Sequence, residues 1–97
     1  VLFRSAIPEY EPARLAPEDQ LRRVMGEWVA EVRHSGNLVV LRTPPGCAHV
    51  VASALDRSAM KGLLGTVAGD DTLLCVADED MGGAAMAEHL RDLAGLQ

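Results

Sequence analysis

Apolar positions along this chain switch between a period near 3.6 and a period near 2, and each switch marks an element boundary. Leu21, Val24, Met25 and Trp28 recur at i, i+3, i+4 and i+7, behind Pro17 at a position suited to the first helical residue and Glu18 and Asp19 suited to the positive end of a helix. This spacing predicts an amphipathic helix, weakened by Gly26, with Trp28 as a core anchor. Over residues 28–34 the pattern alternates instead, with Trp28, Ala30 and Val32 on one side and Val29, Glu31 and Arg33 on the other, so the helix is expected to yield to a strand. Ser35, Gly36 and Asn37 carry turn chemistry, residues 38–43 continue as a second strand, and Pro44, Pro45 and Gly46 stop it.

Helical spacing returns over residues 47–58, where Val50, Val51, Ala54 and Leu55 form an apolar face. The opposite stripe carries His49, Ser53 and Asp56 at i, i+4 and i+7, on one side of the helix within roughly 10 Å. Taken singly, His49 reads as a surface or packing residue, and Asp56 beside Arg57 as ordinary surface chemistry. Next comes LLGTVAGDDTLLCVA, residues 63–77, two short apolar runs flanking Gly69, Asp70 and Asp71. Gly69 at a first corner position suits a tight II′-type hairpin between antiparallel strands. The turn needs a glycine and one aspartate, not two adjacent carboxylates whose repulsion must be relieved by solvent, a metal or a cationic ligand. An acidic loop, Asp78, Glu79 and Asp80, then leads through Gly82 and Gly83 to a closing helix in which Met86, His89, Leu90 and Leu93 recur on one face while Glu88, Arg91 and Asp92 face water.

The order helix, strand, strand, helix, strand, strand, helix favours an α+β fold, an antiparallel four-stranded sheet with helices packed on one face. The near-continuous apolar runs of the central hairpin then leave the other face or an edge for a partner subunit, so self-association is expected. Residues 1–14 read as a linker or the remnant of a cut N-terminus, because Pro8 and Pro12 disfavour helix and residues 1–5 have no periodic pattern; residues 15–97 form the domain.

Composition narrows the partners. In 97 residues the apolar content is 48% but aromatics only 3%, which points to a core of small side chains in one small domain. A net charge of −5 disfavours direct contact with nucleic acid or an anionic membrane, since both rest on clustered Lys and Arg. No apolar run is long enough to span a bilayer and no signal peptide opens the chain, while Cys47 and Cys75 lack CxxC spacing and read as reduced thiols. A cytoplasmic protein is expected.

The paired carboxylates permit divalent-metal ligation, general acid/base work or a clamp for a cationic ligand. No HxxxH pattern supports a metal, the Asp78 to Asp80 run reads as a solvated acidic loop, and no nucleophile has an elbow or a histidine partner in sequence. Gly65 and Gly69 have GxxxG spacing but lie in a strand hairpin without the helix N-terminus that nucleotide binding needs.

The run GTVAGDDT at residues 65–72, preceded by TPPGCAH at residues 43–49 and by Asp56, closely resembles the C-terminal domain of bacterial arginine repressors, and the resemblance extends over about residues 35–93. It implies a domain that binds L-arginine as corepressor and forms a homo-hexamer of two stacked trimers, with the amino acid at the trimer–trimer contact and no other cofactor or metal. Operator DNA is then bound through a separate N-terminal winged helix-turn-helix domain, and no basic helical segment precedes Ile7 here. Carried over residue by residue, Asp70 and Asp71 correspond to the aspartates that bind the ligand guanidinium, partly across the trimer contact. Asp56 matches the aspartate that meets the α-amino group, Thr66 and Ala68 line the pocket largely through backbone, and His49 stands where some members have glutamine. The acidic Asp78 to Asp80 connection and residues 7–14 find no counterpart.

Two other readings stand beside it. A small oligomeric α+β enzyme of dehydratase or mutase type would use His49 and Asp56 for proton transfer. A regulatory domain for a different amino acid would keep the fold and change the ligand. The resemblance favours a repressor domain over a catalyst.

Overall fold

The computed structural model describes residues 17–96, so the linker reading of residues 1–14 lies outside the described residues. Helix α1 (Pro17–Trp28) precedes a hairpin of β1 (Glu31–Ser35) and β2 (Leu38–Arg42); α2 (Ala48–Ser58) leads to a second hairpin of β3 (Leu63–Ala68) and β4 (Thr72–Ala77), and α3 (Gly82–Ala94) closes the domain. The four strands form one antiparallel sheet in the order β1-β2-β4-β3. The chain therefore crosses over after β2, and β4 returns beside it, pairing Val40 with Leu74 and Leu41 with Leu73. This is the expected α+β arrangement, with α3 over β1 and β2, α2 over β3 and β4, and α1 packed across both helices.

Alternation along the strands sorts the two faces of the sheet. Val32, Val39, Leu41, Leu73, Cys75 and Ala77 point to the helices and are buried. They meet Leu21 and Met25 of α1, Val51, Ala54 and Leu55 of α2, and Met86, Leu90 and Leu93 of α3 in one core, small in its side chains as the composition suggested. The opposite face is uncovered within the chain. It carries Leu38, Val40, Leu74 and Val76 beside Leu64 and Val67, which are 69% and 66% exposed.

Several side chains do not sit where period alone placed them. Helix α1 continues through Trp28, and Val29 N–H still donates to the Met25 carbonyl at 3.0 Å, so Val29 is buried and the strand begins only at Glu31. Ala30, grouped with Val32 by alternation, is exposed. Val50 is 39% exposed, because Ala48 and Ala52 turn inward with Val51 instead. His89 is exposed rather than part of the core, and Arg91 does not simply face water: half-buried, it donates from Nη2 to the Val32 carbonyl at 3.0 Å and ties α3 to β1.

The tip of the second hairpin also differs. Gly69 N–H donates to the Thr72 carbonyl at 2.8 Å, so Asp70 and Asp71 are the corner residues, and none of Gly69, Asp70 and Asp71 has a positive φ. A II′ turn requires positive φ at its first corner. The tip adopts another geometry because tertiary bonds hold it: the Asp71 carbonyl accepts from Thr43 N–H at 2.8 Å, and the Asp70 carbonyl from Gly46 N–H at 3.0 Å and Ala48 N–H at 3.3 Å.

Candidate functional site

Those same bonds build the site. Helix α2 starts without a side-chain cap at Cys47, and the Asp70 carbonyl takes one of its free N-terminal donors instead. The acidic tip is thereby fixed to the first turn of α2. Thr43, buried behind it, donates from its hydroxyl to the Pro44 carbonyl at 2.9 Å and keeps the Pro44-Pro45-Gly46 loop folded under the tip.

Downstream of that joint, α2 lies along the helix-facing side of β3. Thr66 and Ala68 pair with the buried positions Cys75 and Leu73, so both point to the helix layer, yet β3 is the edge strand and no helix covers them fully. The gap is an open cavity of about 540 Å³. Its helical wall is the stripe His49, Ser53 and Asp56, joined by Ala52 and Arg57, and its strand wall is Thr66 and Ala68. The Thr66 hydroxyl donates to Asp56 Oδ1 at 3.3 Å across the gap. Asp56 has no ion-pair partner among the described residues, and its charge reaches Cys75, whose thiol is pushed up to about 12, by burial first and by the Asp56 charge second. Cys75 is therefore a neutral, inert core residue.

Four of the six residues singled out from sequence, His49, Asp56, Thr66 and Ala68, line this one cavity. Asp70 and Asp71 do not. They stand at the hairpin tip, Asp70 exposed and Asp71 half-buried with Thr72 Oγ1 donating to its Oδ1 at 3.0 Å. Sequence reasoning passed over Arg57, whose only signal was its place four residues after Ser53; its Nη1 donates to Ser53 Oγ at 2.7 Å. The acidic loop before α3 has a local role: Asp78 Oδ1 accepts the Met81 N–H at 2.8 Å and shapes the turn into the helix. No group of acids, histidines and cysteines fit to hold a metal ion occurs among the described residues. Nor is any helix among them long and apolar enough to cross a membrane.

A half-open cleft with the Asp56 carboxylate on its wall, beside a doubly acidic tip, fits a small ligand that carries cationic groups, and the comparison with known families agrees with it. The family model described as arginine repressor, C-terminal domain, matches residues 25–92, a span that runs from the last turn of α1 into the last turn of α3 and contains the cavity, the tip and the whole sheet. The chain belongs to this family, the arginine-binding oligomerisation domains of transcriptional repressors.

Proposed function

We propose that this domain senses L-arginine as corepressor and forms a hexamer of two stacked trimers, with arginine at the trimer–trimer contact of a repressor of arginine metabolism genes. The observation that carries the reading is the separation of the acids. Asp56 faces the cavity with Thr66, while the Asp70 and Asp71 pair stands outside it on the surface. A ligand with a cationic group at each end meets Asp56 through its α-amino group and takes an acidic pair from a second copy for its guanidinium. A planar guanidinium offers paired donors to a carboxylate, which separates arginine from the point charge of lysine.

Converging acidic tips repel one another, and each bound arginine relieves that repulsion. Ligand and hexamer therefore stabilise one another by linkage. Fixing the backbone of the tip to α2 makes this coupling stiff, because a shift of Asp70 moves the start of the helix that carries His49 and Asp56. The uncovered sheet face, with Leu64, Val67 and Leu74, supplies apolar surface for self-association. In this reading L-arginine is the one small molecule the cytoplasmic protein needs, and operator DNA is contacted through a separate N-terminal domain.

The test is isothermal titration calorimetry with L-arginine, citrulline and lysine, with sedimentation of the same samples. Saturable binding of arginine, much weaker binding of the other two and a shift to the hexamer on adding arginine are expected. Asp70→Asn should weaken arginine binding sharply and loosen the hexamer. A folded, oligomeric sample that gives no heat with millimolar arginine overturns the reading.

A further inference from the structure

The cavity holds a charge that a purely cation-binding site does not require. Arg57 is a permanent cation on the wall that also carries Asp56, and a site built only to attract a guanidinium and an ammonium is weakened by it. Its position is not that of a free surface side chain. Arg57 folds back one turn along α2 so that Nη1 donates to Ser53 Oγ at 2.7 Å, which lays the guanidinium along the cavity wall instead of outward from the end of the helix. Among the described residues it has no carboxylate partner, although the domain carries an excess of acids. One of its five N–H groups is spent on Ser53 and the others remain to donate.

We propose that Arg57, oriented by Ser53, is the specificity residue that receives the α-carboxylate of the bound amino acid. This rests on the ligand reading above and deepens it. A zwitterionic head group then finds opposite charges on neighbouring residues of one helix turn, Asp56 for its ammonium and Arg57 for its carboxylate. The site thus selects an α-amino acid and not merely a guanidinium compound. A planar guanidinium held at one nitrogen presents its remaining edge to a carboxylate in a fixed direction, which a flexible ammonium would not. Ser53 is a positioning residue in this scheme. His49 lies on the same wall one turn earlier than Ser53 and is another side chain there able to donate to a carboxylate.

The test compares L-arginine with L-argininamide, which keeps the guanidinium, the α-amino group and the shape but lacks the carboxylate charge. Wild-type protein should bind arginine about tenfold more tightly than argininamide, the difference expected of one charge-assisted contact. In Arg57→Gln arginine affinity should fall about tenfold while argininamide binding stays within about twofold, so the preference disappears; Arg57→Lys should restore part of it. Arg57 is exposed, and unchanged circular dichroism and Tm will show that the variant folds. A role confined to the C-terminal end of α2 would shift Tm and leave the arginine to argininamide ratio untouched. An unchanged ratio in Arg57→Gln, or its collapse in His49→Gln alone, overturns the assignment. Wild-type protein that binds neither compound overturns the ligand reading itself, and the two failures are thereby distinguished.

Discussion

Gly83 sits at the second position of α3, where its N–H donates to the Gly36 carbonyl of the β1–β2 turn at 2.9 Å. Helix propensity alone predicts that Gly83→Ala stabilises the helix. Tertiary geometry reverses the sign. A Cβ on residue 83 would lie 2.4 Å from the Gly36 carbonyl oxygen and 3.2 Å from both the Gly36 carbonyl carbon and the Leu38 oxygen, all backbone atoms that cannot swing aside. Relief requires α3 and the turn to separate by about 1 Å, which breaks the bond at its N-terminus and loosens the neighbouring packing. A lost hydrogen bond with a buried donor left over costs about 1–3 kcal/mol, and overpacking costs about 1–3 kcal/mol more. Set against the roughly 1 kcal/mol that alanine gains in helix propensity, these costs leave a net loss of about 1–5 kcal/mol, equivalent to a Tm lower by at least about 4 °C for a domain of this size. Gly26→Ala is the matched control, because Gly26 lies inside α1 and its Cβ would meet only the Ala94 carbonyl at 3.9 Å. That substitution should stabilise by about 0.5–1 kcal/mol. Urea unfolding followed by far-UV circular dichroism and by the single tryptophan, Trp28, reads both at one fixed protein concentration, since association adds to apparent stability. A Gly83→Ala protein as stable as wild type, or less perturbed than Gly26→Ala, would refute the reasoning.

The uncovered face makes a second prediction: Val67→Asp places a charge on a residue 66% exposed in the single chain, so the fold should persist while sedimentation shows smaller assemblies; an unchanged assembly would remove this face from the interface. The thiols make a third. Well below pH 9 the Cys75 thiol is protonated in both states, but from near its ordinary value of 9.0 up to about 12 only the unfolded chain releases the proton, so stability falls as pH rises, by up to about 1.4 kcal/mol per pH unit. Cys75→Ala should flatten that alkaline decline in urea titrations between pH 9 and 11, and an identical slope would contradict the burial argument. In the native protein at pH 8 a thiol reagent should modify Cys47, which is partly exposed, and reach Cys75 only after unfolding.

Local chemistry determined the elements of this protein. Helical spacing around Leu21 and Met25, the turn at Ser35, Gly36 and Asn37, and the two greasy runs flanking the acidic tip are written within a few residues of one another, and they appear as α1, the β1–β2 hairpin and the β3–β4 hairpin. The stripe of His49, Ser53 and Asp56 was equally legible, because three residues at i, i+4 and i+7 of a helix share a side whatever it packs against. What only the tertiary structure decided depends on partners distant in sequence. The crossover that sets β4 beside β2, the Arg91 bond to the Val32 carbonyl and the close approach of Gly83 to Gly36 each join segments whose separation leaves no periodic trace. The turn geometry at Asp70 and Asp71 belongs with them, since Thr43, Gly46 and Ala48 donate to its carbonyls. The cavity arises the same way. The sequence supplied a polar helix face, and it became one wall of a site only when the sheet order put β3 at the edge, with Thr66 facing Asp56 and no helix left to fill the space between them.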